Sequence, residues 1–297
     1  MKTPKITLEQ WMAFKTIVET GTYGKAAELM NKSQSSVSYV MSKLEEQLPT
    51  PVLRVEGRKT VLTEAGEVLY RRAVKLLETA KEIEQLASCL SQGWETTISI
   101  NADSIVPIPP ILQAVENFST QSPLTRITLL ESTLSGTDEN ILARQADLVL
   151  TAHIPPGFSG RQITSVSLNP VVHVNHLLAR TRSSLSRNDL LLHRQIVLRD
   201  TGRKRTQDAG WLESEQRLTV SSFDQAIQAI ERGLGFGFVP LHLVQEMVNQ
   251  NQFVILDVEN IPKQNISIYL ISTAITAEGP AIELMKDLLK KRFDRNT

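Results

Sequence analysis

The chain has 297 residues, of which 41% are hydrophobic and 22% charged, the composition of an ordinary globular protein rather than a disordered or collagenous one. Thirty-two basic residues balance thirty-two acidic ones, so net charge alone favours no polyanionic partner and leaves any such case to local pattern. No apolar run approaches the roughly 18 residues of a membrane span, the opening MKTPKITLEQWM lacks an apolar signal core, and a lone Cys89 excludes an intramolecular disulfide or a multi-cysteine metal site. A cytoplasmic protein is the expectation.

Residues 7 to about 47 read as three helices. Leu8, Trp11, Met12, Ile17 and Val18 form a helical face that ends at Thr20-Gly21-Thr22. Lys25 to Met30 is a second, short helix, Asn31-Lys32 a tight turn, and Ser33 the N-cap of a third helix running to Glu46. Ala27 stands where the two later helices cross, Asn31 tolerates a left-handed backbone at the turn, and Val37 and Val40 are expected to pack the third helix onto the second. This layout is a helix-turn-helix. The outer face of the third helix carries Gln34, Ser35, Ser38, Tyr39 and Ser42, short polar groups suited to base edges and phosphates. Pro49 and Pro51 then stop helix formation, and Val52 to Leu62 reads as a hairpin turning at Glu56-Gly57.

From Thr63, another N-cap, a long helix is expected to about Leu90. Leu69, Ala73, Leu76, Ala80, Ile83, Ala87 and Leu90 recur at alternating steps of four and three, the spacing of a coiled-coil seam. Ser91-Gln92-Gly93 closes it. Beyond Thr96 strands and helices alternate. Strands are expected at Thr97–Asn101, Thr125–Glu131, Asp147–Ala152, Pro170–Ala179, Gln195–Asp200, Leu218–Ser221, Gly235–Val239 and Ile266–Ser272. Helices are expected at Pro107–Gln121, about Thr137–Arg144, Phe223–Arg232, Leu241–Gln250 and Pro280–Phe293. Such alternation implies parallel sheets with helical crossovers, here in two series that form two α/β lobes around a cleft.

Enzyme signatures are absent. There is no G-x-S-x-G elbow, P-loop or H-E-x-x-H, and Gly233-Leu234-Gly235-Phe236-Gly237 has the wrong spacing for a dinucleotide fingerprint. His153, His173, His176, His193 and His242 are scattered. The close pair, His173 and His176, falls in an expected strand on opposite faces, so no metal site is expected.

The first 66 residues resemble the DNA-binding domain of the LysR-type transcriptional regulators. The resemblance rests on Leu8, Phe14, Gly21, Ala26-Ala27, Leu29, Ser33-Gln34, Val37-Ser38, Leu44-Glu45 and Leu62-Thr63-Glu64-Ala65-Gly66. Phe223, Gly233-Leu234-Gly235 and Val239-Pro240 extend it along the chain. Two departures stand out. The family's Leu-Phe-x-Arg entry to the wing reads Val52-Leu53-Arg54-Val55 here, which puts the arginine one residue early and on the other strand face. Ser35 and Tyr39 replace a frequent proline and arginine.

The resemblance implies an α/β protein with an N-terminal winged helix-turn-helix, a long coiled-coil linker helix and a C-terminal two-lobed, periplasmic-binding-protein-like effector domain. The expected boundaries are 1–66, 67–92 and 93–297, with one lobe at about 93–165 and 264–297 and the other at about 166–263. The expected partners are double-stranded DNA, a small-molecule effector, RNA polymerase and the chain itself, as a homodimer and a homotetramer, with no cofactor, metal or catalytic residue. DNA contacts are assigned to Ser33, Gln34, Ser35, Ser38, Tyr39, Ser42, Arg54, Arg58 and Lys59. Ligands of open α/β sheets bind at the carboxyl ends of strands. That rule selects Asp103, Ser104, Ser132, Thr133, Thr151, Arg199, Asp200, Thr201, Ser222 and Phe223, of which Ser104 and Thr201 resemble effector-binding places in the family. Asp103 and Asp200 disfavour a further anion, whereas Arg199 accepts one.

Overall fold

The computed structural model describes residues 3–294 apart from 57–58, 181–183, 205–206, 208–209, 211–212, 262–263 and 275–277. The chain divides into two units, Met1–Gln92 and Gly93–Thr297.

In the first unit α1 (Leu8–Thr20) opens with a reciprocal cap. The Thr7 N–H donates to Gln10 Oε1 at 2.7 Å, and the Gln10 N–H donates to Thr7 Oγ1 at 3.3 Å. Gly21 ends the helix at φ 75°, a conformation that favours glycine. Thr22 caps α2 (Tyr23–Leu29), Asn31 takes the left-handed turn at φ 54°, and Ser33 Oγ accepts from the Ser36 N–H at 3.2 Å to cap α3 (Gln34–Gln47). Phe14, Ile17, Ala26, Ala27, Val37, Met41 and Leu44 form the core of this trihelical unit. Val40 is only half-buried. A helix turns 100° per residue, and Met41 rather than Val40 completes the inward row of Val37 and Leu44.

Strands β1 (Leu53–Glu56) and β2 (Lys59–Leu62) pair antiparallel, with Glu56 opposite Lys59. Glu56 is therefore a strand residue rather than a turn residue, and the expected turn glycine, Gly57, lies outside the described residues. The Thr60 N–H donates to the Gly21 carbonyl at 3.0 Å, tying the hairpin to the end of α1. Thr63 caps α4 (Glu64–Ser91) through the Gly66 N–H at 2.9 Å. A Cβ on Gly66 would lie 2.0 Å from the Val52 carbonyl oxygen, so this position admits only glycine. The first part of α4 lies on its own unit, where Leu69, Tyr70 and Ala73 join the core. Leu76, Ile83 and Leu90 are 45%, 62% and 52% exposed. The apolar seam is thus divided between the unit's own core and open solvent.

The second unit begins β3 (Thr97–Asp103), α5 (Ile108–Gln121), β4 (Arg126–Ser132), α6 (Ser135–Leu142), β5 (Leu148–Thr151) and β6 (Gly160–His173). It continues α7 (Arg187–Leu191), β7 (Gln195–Leu198), β8 (Arg217–Val220), α8 (Phe223–Glu231), β9 (Phe236–Pro240), α9 (Leu241–Asn249), β10 (Phe253–Ile255), β11 (Gln264–Ser272) and α10 (Pro280–Asp294). β3 is parallel to β4 and β5, and β7 is parallel to β8 and β9. Long antiparallel strands link the two groups, since β6 pairs with β9, β10 and β11, and β11 with β5. The expectation of two parallel sheets is corrected to one hydrogen-bonded path, β4-β3-β5-β11-β6-β9-β7-β8, with β10 beside β6.

β6 contributes Ile163 and Val166 to a core with Ile100, Phe118, Leu150 and Met285, then Val171 to a second core with Ile196, Ile230 and Phe253. One strand serves two lobes. Its first half escaped sequence reading for a physical reason. The β6–β11 register shifts between Ile268 and Tyr269, and the irregularity buries Ile163 and Val166 three residues apart, which breaks the two-residue period. The expected strand at Pro170–Ala179 ends at His173, where the chain turns into a 3₁₀ segment, Leu177–Arg180. His176 therefore leaves the strand, and its ring lies 5.0 Å from that of His193.

Candidate functional site

Two surfaces carry exposed or unpartnered polar groups in an ordered setting. On α3, burial of Val37, Met41 and Leu44 fixes the opposite face outward. Gln34, Ser35, Tyr39 and Ser42 are exposed there and Ser38 is half-buried. Ser33 is committed as a cap, and its hydroxyl lies 3.0 Å from that of Ser35. Gln34 Oε1 reaches back over α2, where a Cβ on Gly24 would meet it at 3.7 Å. The Lys43 ammonium sits 5.8 Å from the Tyr39 ring centroid and 2.6 Å from Glu46, whose hydrogen bond and charge raise the lysine's pKa. Lys25, which the sequence did not single out, is exposed in the first turn of α2 beside Gly24.

On the hairpin, Arg54 Nη2 is 2.9 Å from Glu56 Oε1, so its charge already has a counter-ion. Lys59 is exposed. Arg58 lies outside the described residues.

In the second unit a cavity of about 130 Å³ lies between the two cores. Asp103, Ser104, Thr133 and Phe223 line it, together with Ile105, Leu134, Leu168, the stretch Gln195–Leu198, Phe238, Gln264 and Ile266. Six expected ligand residues are placed elsewhere, five of them bonded to protein partners and one exposed. The Ser132 hydroxyl donates to Asn101 Oδ1 at 2.7 Å and lies 2.8 Å from Thr137 Oγ1. Thr151 Oγ1 donates to the His153 carbonyl at 3.1 Å. Asp200 accepts from the Ser135 hydroxyl at 2.6 Å and from the Gly202 N–H at 2.9 Å. Those bonds outweigh its burial, so its pKa is lowered. Thr201 Oγ1 is bonded to Thr133, Ser222 caps α8 through the Gln225 N–H, and Arg199 is exposed. Strand-end position selects loops, and only some loop side chains turn inward.

Burial lifts the Asp103 carboxyl to about 6, although the Ile105 N–H and Thr137 hydroxyl bonds pull the other way. Ser104 Oγ and Gln195 Oε1 are buried without a hydrogen-bond partner. Gln195 was missed because it begins, rather than ends, β7. The available signal was a lone amide preceding the apolar run Ile196-Val197-Leu198.

Next to the cavity the two lobes are joined by polar contacts. The Gly136 N–H donates to Asp200 Oδ1 at 3.3 Å, and the Arg203 and Lys204 N–H groups donate to Glu139 Oε1 at 3.0 and 2.7 Å. Among the described residues no group of three or more His, Cys, Asp or Glu is placed to hold a metal ion, and no helix is long and apolar enough to cross a membrane.

Residues 8–67 match the family described as "Bacterial regulatory helix-turn-helix protein, lysR family", and residues 91–294 match "LysR substrate binding domain". The chain is 27% identical over 267 residues to the "Probable HTH-type transcriptional regulator YhaJ" of Escherichia coli (strain K12), spanning 88% of this chain and 89% of that one. It is 24% identical over 249 residues to the "HTH-type transcriptional regulator PunR" of the same strain, spanning 82% and 80%. In fold it is similar to the full-length Vibrio cholerae virulence activator AphB, with a TM-score of 0.54 at 18% identity over 96% of this chain and 99% of the other.

Proposed function

This chain belongs to the LysR family of bacterial helix-turn-helix transcriptional regulators, and from that premise we propose how its parts divide the work. It is a regulator with a DNA-binding helix-turn-helix and a substrate-binding domain. Residues 1–66 read DNA, 67–92 pair two copies, and 93–297 bind a small-molecule effector between lobes at about 93–165 with 264–297 and about 166–263. The protein acts in the cytoplasm without a catalytic step, as a dimer that further assembles into a tetramer and contacts RNA polymerase.

Gln34, Ser35, Ser38, Tyr39 and Ser42 face the major groove, with Ser33 shaping the helix start. Lys59, Arg58 and, more weakly, Arg54 meet phosphates. Asp103, Ser104, Thr133 and Phe223 face the effector, Ser132, Thr151, Asp200, Thr201 and Ser222 act from outside the cavity by holding its walls and the lobe contacts, and Arg199 contributes an exposed cation. The observation that carries this reading is α3, whose back is fully buried while its N-terminal outer face is polar and exposed.

Retention of the full chain on a duplex selected from a random pool, against an unselected duplex across a salt series, tests it. The expectation is at least about a thousandfold preference for the selected duplex. Equal affinity for both would overturn the sequence-specific assignment.

A further inference from the structure

The cavity has a chemistry that restricts what enters it. Its walls are mostly apolar, with Phe223 and Phe238 among them. At about 130 Å³ it is close to the roughly 150 Å³ of a cavity that accepts benzene, and well below the roughly 300–1,000 Å³ of drug-sized sites. Among the described residues that line it there is one carboxylate, Asp103, and no Lys, Arg or His.

The backbone donors on the Asp103 wall are already engaged. The Ser104 N–H donates to the Ser132 carbonyl, the Ile105 and Leu134 N–H groups to Asp103, and the Thr133 N–H to Thr201 Oγ1. An entering anion would therefore shed its water and meet a second anion with no counter-charge among the described lining residues and no free backbone donor on that wall, the Ser104 hydroxyl alone being too little to offset the loss. Two polar atoms do lack partners. Gln195 is 1% exposed with its Oε1 unbonded, and the Ser104 hydroxyl is buried likewise. Native folds leave few such groups unsatisfied, and both of these belong to residues that line one cavity, where a small turn of the side chain would bring them to a ligand.

We infer that the cavity takes a single-ring-sized molecule, uncharged or cationic, whose polar group engages the Gln195 amide and the Ser104 hydroxyl as those side chains turn toward it, and that it rejects carboxylates. This rests on the ligand-binding reading of the cavity given above. The carboxyl of Asp103, raised to about 6, is still mainly ionised at pH 7 and so disfavours an anion there.

Benzamide, benzamidinium and benzoate share one shape and differ in charge and donors, and calorimetry on the full chain at pH 7.5 compares them. Benzamide or benzamidinium is expected to bind in the millimolar range or tighter, at least about tenfold better than benzoate. Gln195→Met is expected to weaken binding of the preferred probe several-fold and so narrow that preference, while the Asp103 carboxylate still disfavours benzoate. Should that variant not fold, Ser104→Ala is expected to weaken binding of the preferred probe several-fold. Three results overturn the inference: benzoate binding as well as its isosteres, none of the three binding at millimolar concentration, or the folded variant keeping the full preference and affinity. Retention on the selected duplex is read on the same preparation. Its loss with the benzamide preference intact would fault the regulator assignment and leave this one standing.

Discussion

The hydroxyl of Thr201 accepts from the Thr133 N–H at 2.8 Å and donates back to the Thr133 carbonyl at 3.1 Å, joining a loop of one lobe to a wall residue of the cavity in the other. Beside this pair Gly136 is packed so tightly that a Cβ would stand 2.0 Å from Thr201 Oγ1 and 2.9 Å from its carbonyl carbon. The seam between the lobes is thus set by a missing side chain.

Gly136→Ala should force the seam apart and lower stability by about 1–3 kcal/mol, the usual range for overpacking. Adding Thr201→Ala should recover part of the loss, because it removes Oγ1 but not the backbone carbonyl. Thermal unfolding of the single and double variants reads this. An unchanged Tm in Gly136→Ala would mean that the seam gives way at no cost.

Asp103 makes stability depend on pH with a definite sign. Its folded pKa of about 6 stands above the ordinary 3.8, so between those values the native state holds more protons than the unfolded state. Stability from this group is greatest below about pH 4 and is lost as pH rises through 6. Asp103→Asn should therefore gain on the order of 2 kcal/mol over wild type at pH 7 and nothing at pH 4. Urea unfolding at both pH values checks the difference, and a gain that does not change with pH would contradict it.

Base readout predicts that Gln34→Ala and Ser38→Ala each weaken binding to a selected duplex by about 1–3 kcal/mol while altering nonspecific affinity little. Equal losses on selected and random duplexes in a gel-shift titration would remove both residues from the base-reading face.

The wing separates its cations. Lys59→Ala should reduce the slope of log affinity against log salt by about one, whereas Arg54→Ala should change it less because Glu56 already balances that charge. Glu56→Gln frees Arg54 and should tighten binding on any sequence. If Arg54→Ala alters the slope as much as Lys59→Ala, the ion pair does not persist on DNA.

Leu76 and Ile83 predict self-association through α4. Full burial of such a side chain is worth roughly 1.5–3 kcal/mol, about half of it still to be gained at 45% and 62% exposure, and it occurs twice in a symmetric pair. Replacing both with Gln should weaken association by on the order of a thousandfold. Sedimentation across a dilution series measures it, and a variant that remains a tight dimer would place the interface elsewhere.

Sequence periodicity alone located most of the helices, because caps and apolar spacing act within a few residues. Thr7, Thr22, Ser33, Thr63, Ser186 and Ser222 all accept a backbone N–H at a helix start. Ser186 heads α7, a five-residue helix too short to show a period. α3 was legible down to its outward face, since 100° per residue assigns a side once the buried row is known. The hairpin was legible too, apart from which residue ends its first strand.

Long-range contacts decided the rest. Nothing in residues 160–169 announces a strand that crosses both lobes, because its bulge answers to β11 about a hundred residues later. The antiparallel links of β6 and β11 replaced two parallel sheets, since strand direction depends on partners that local sequence does not specify. Among the strand-end residues, Asp103, Ser104, Thr133 and Phe223 reached the cavity while Thr151, Asp200 and Thr201 bonded to protein. Gln195 entered from the opposite end of its strand. Type and spacing determined a helix-turn-helix followed by alternating strands and helices, and the resemblance to the LysR-type regulators supplied the DNA-binding and effector-binding roles. Which polar groups remain unpartnered, and hence what the cavity can accept, was settled only when distant segments packed, because hydrogen-bond satisfaction is a property of the assembled neighbours.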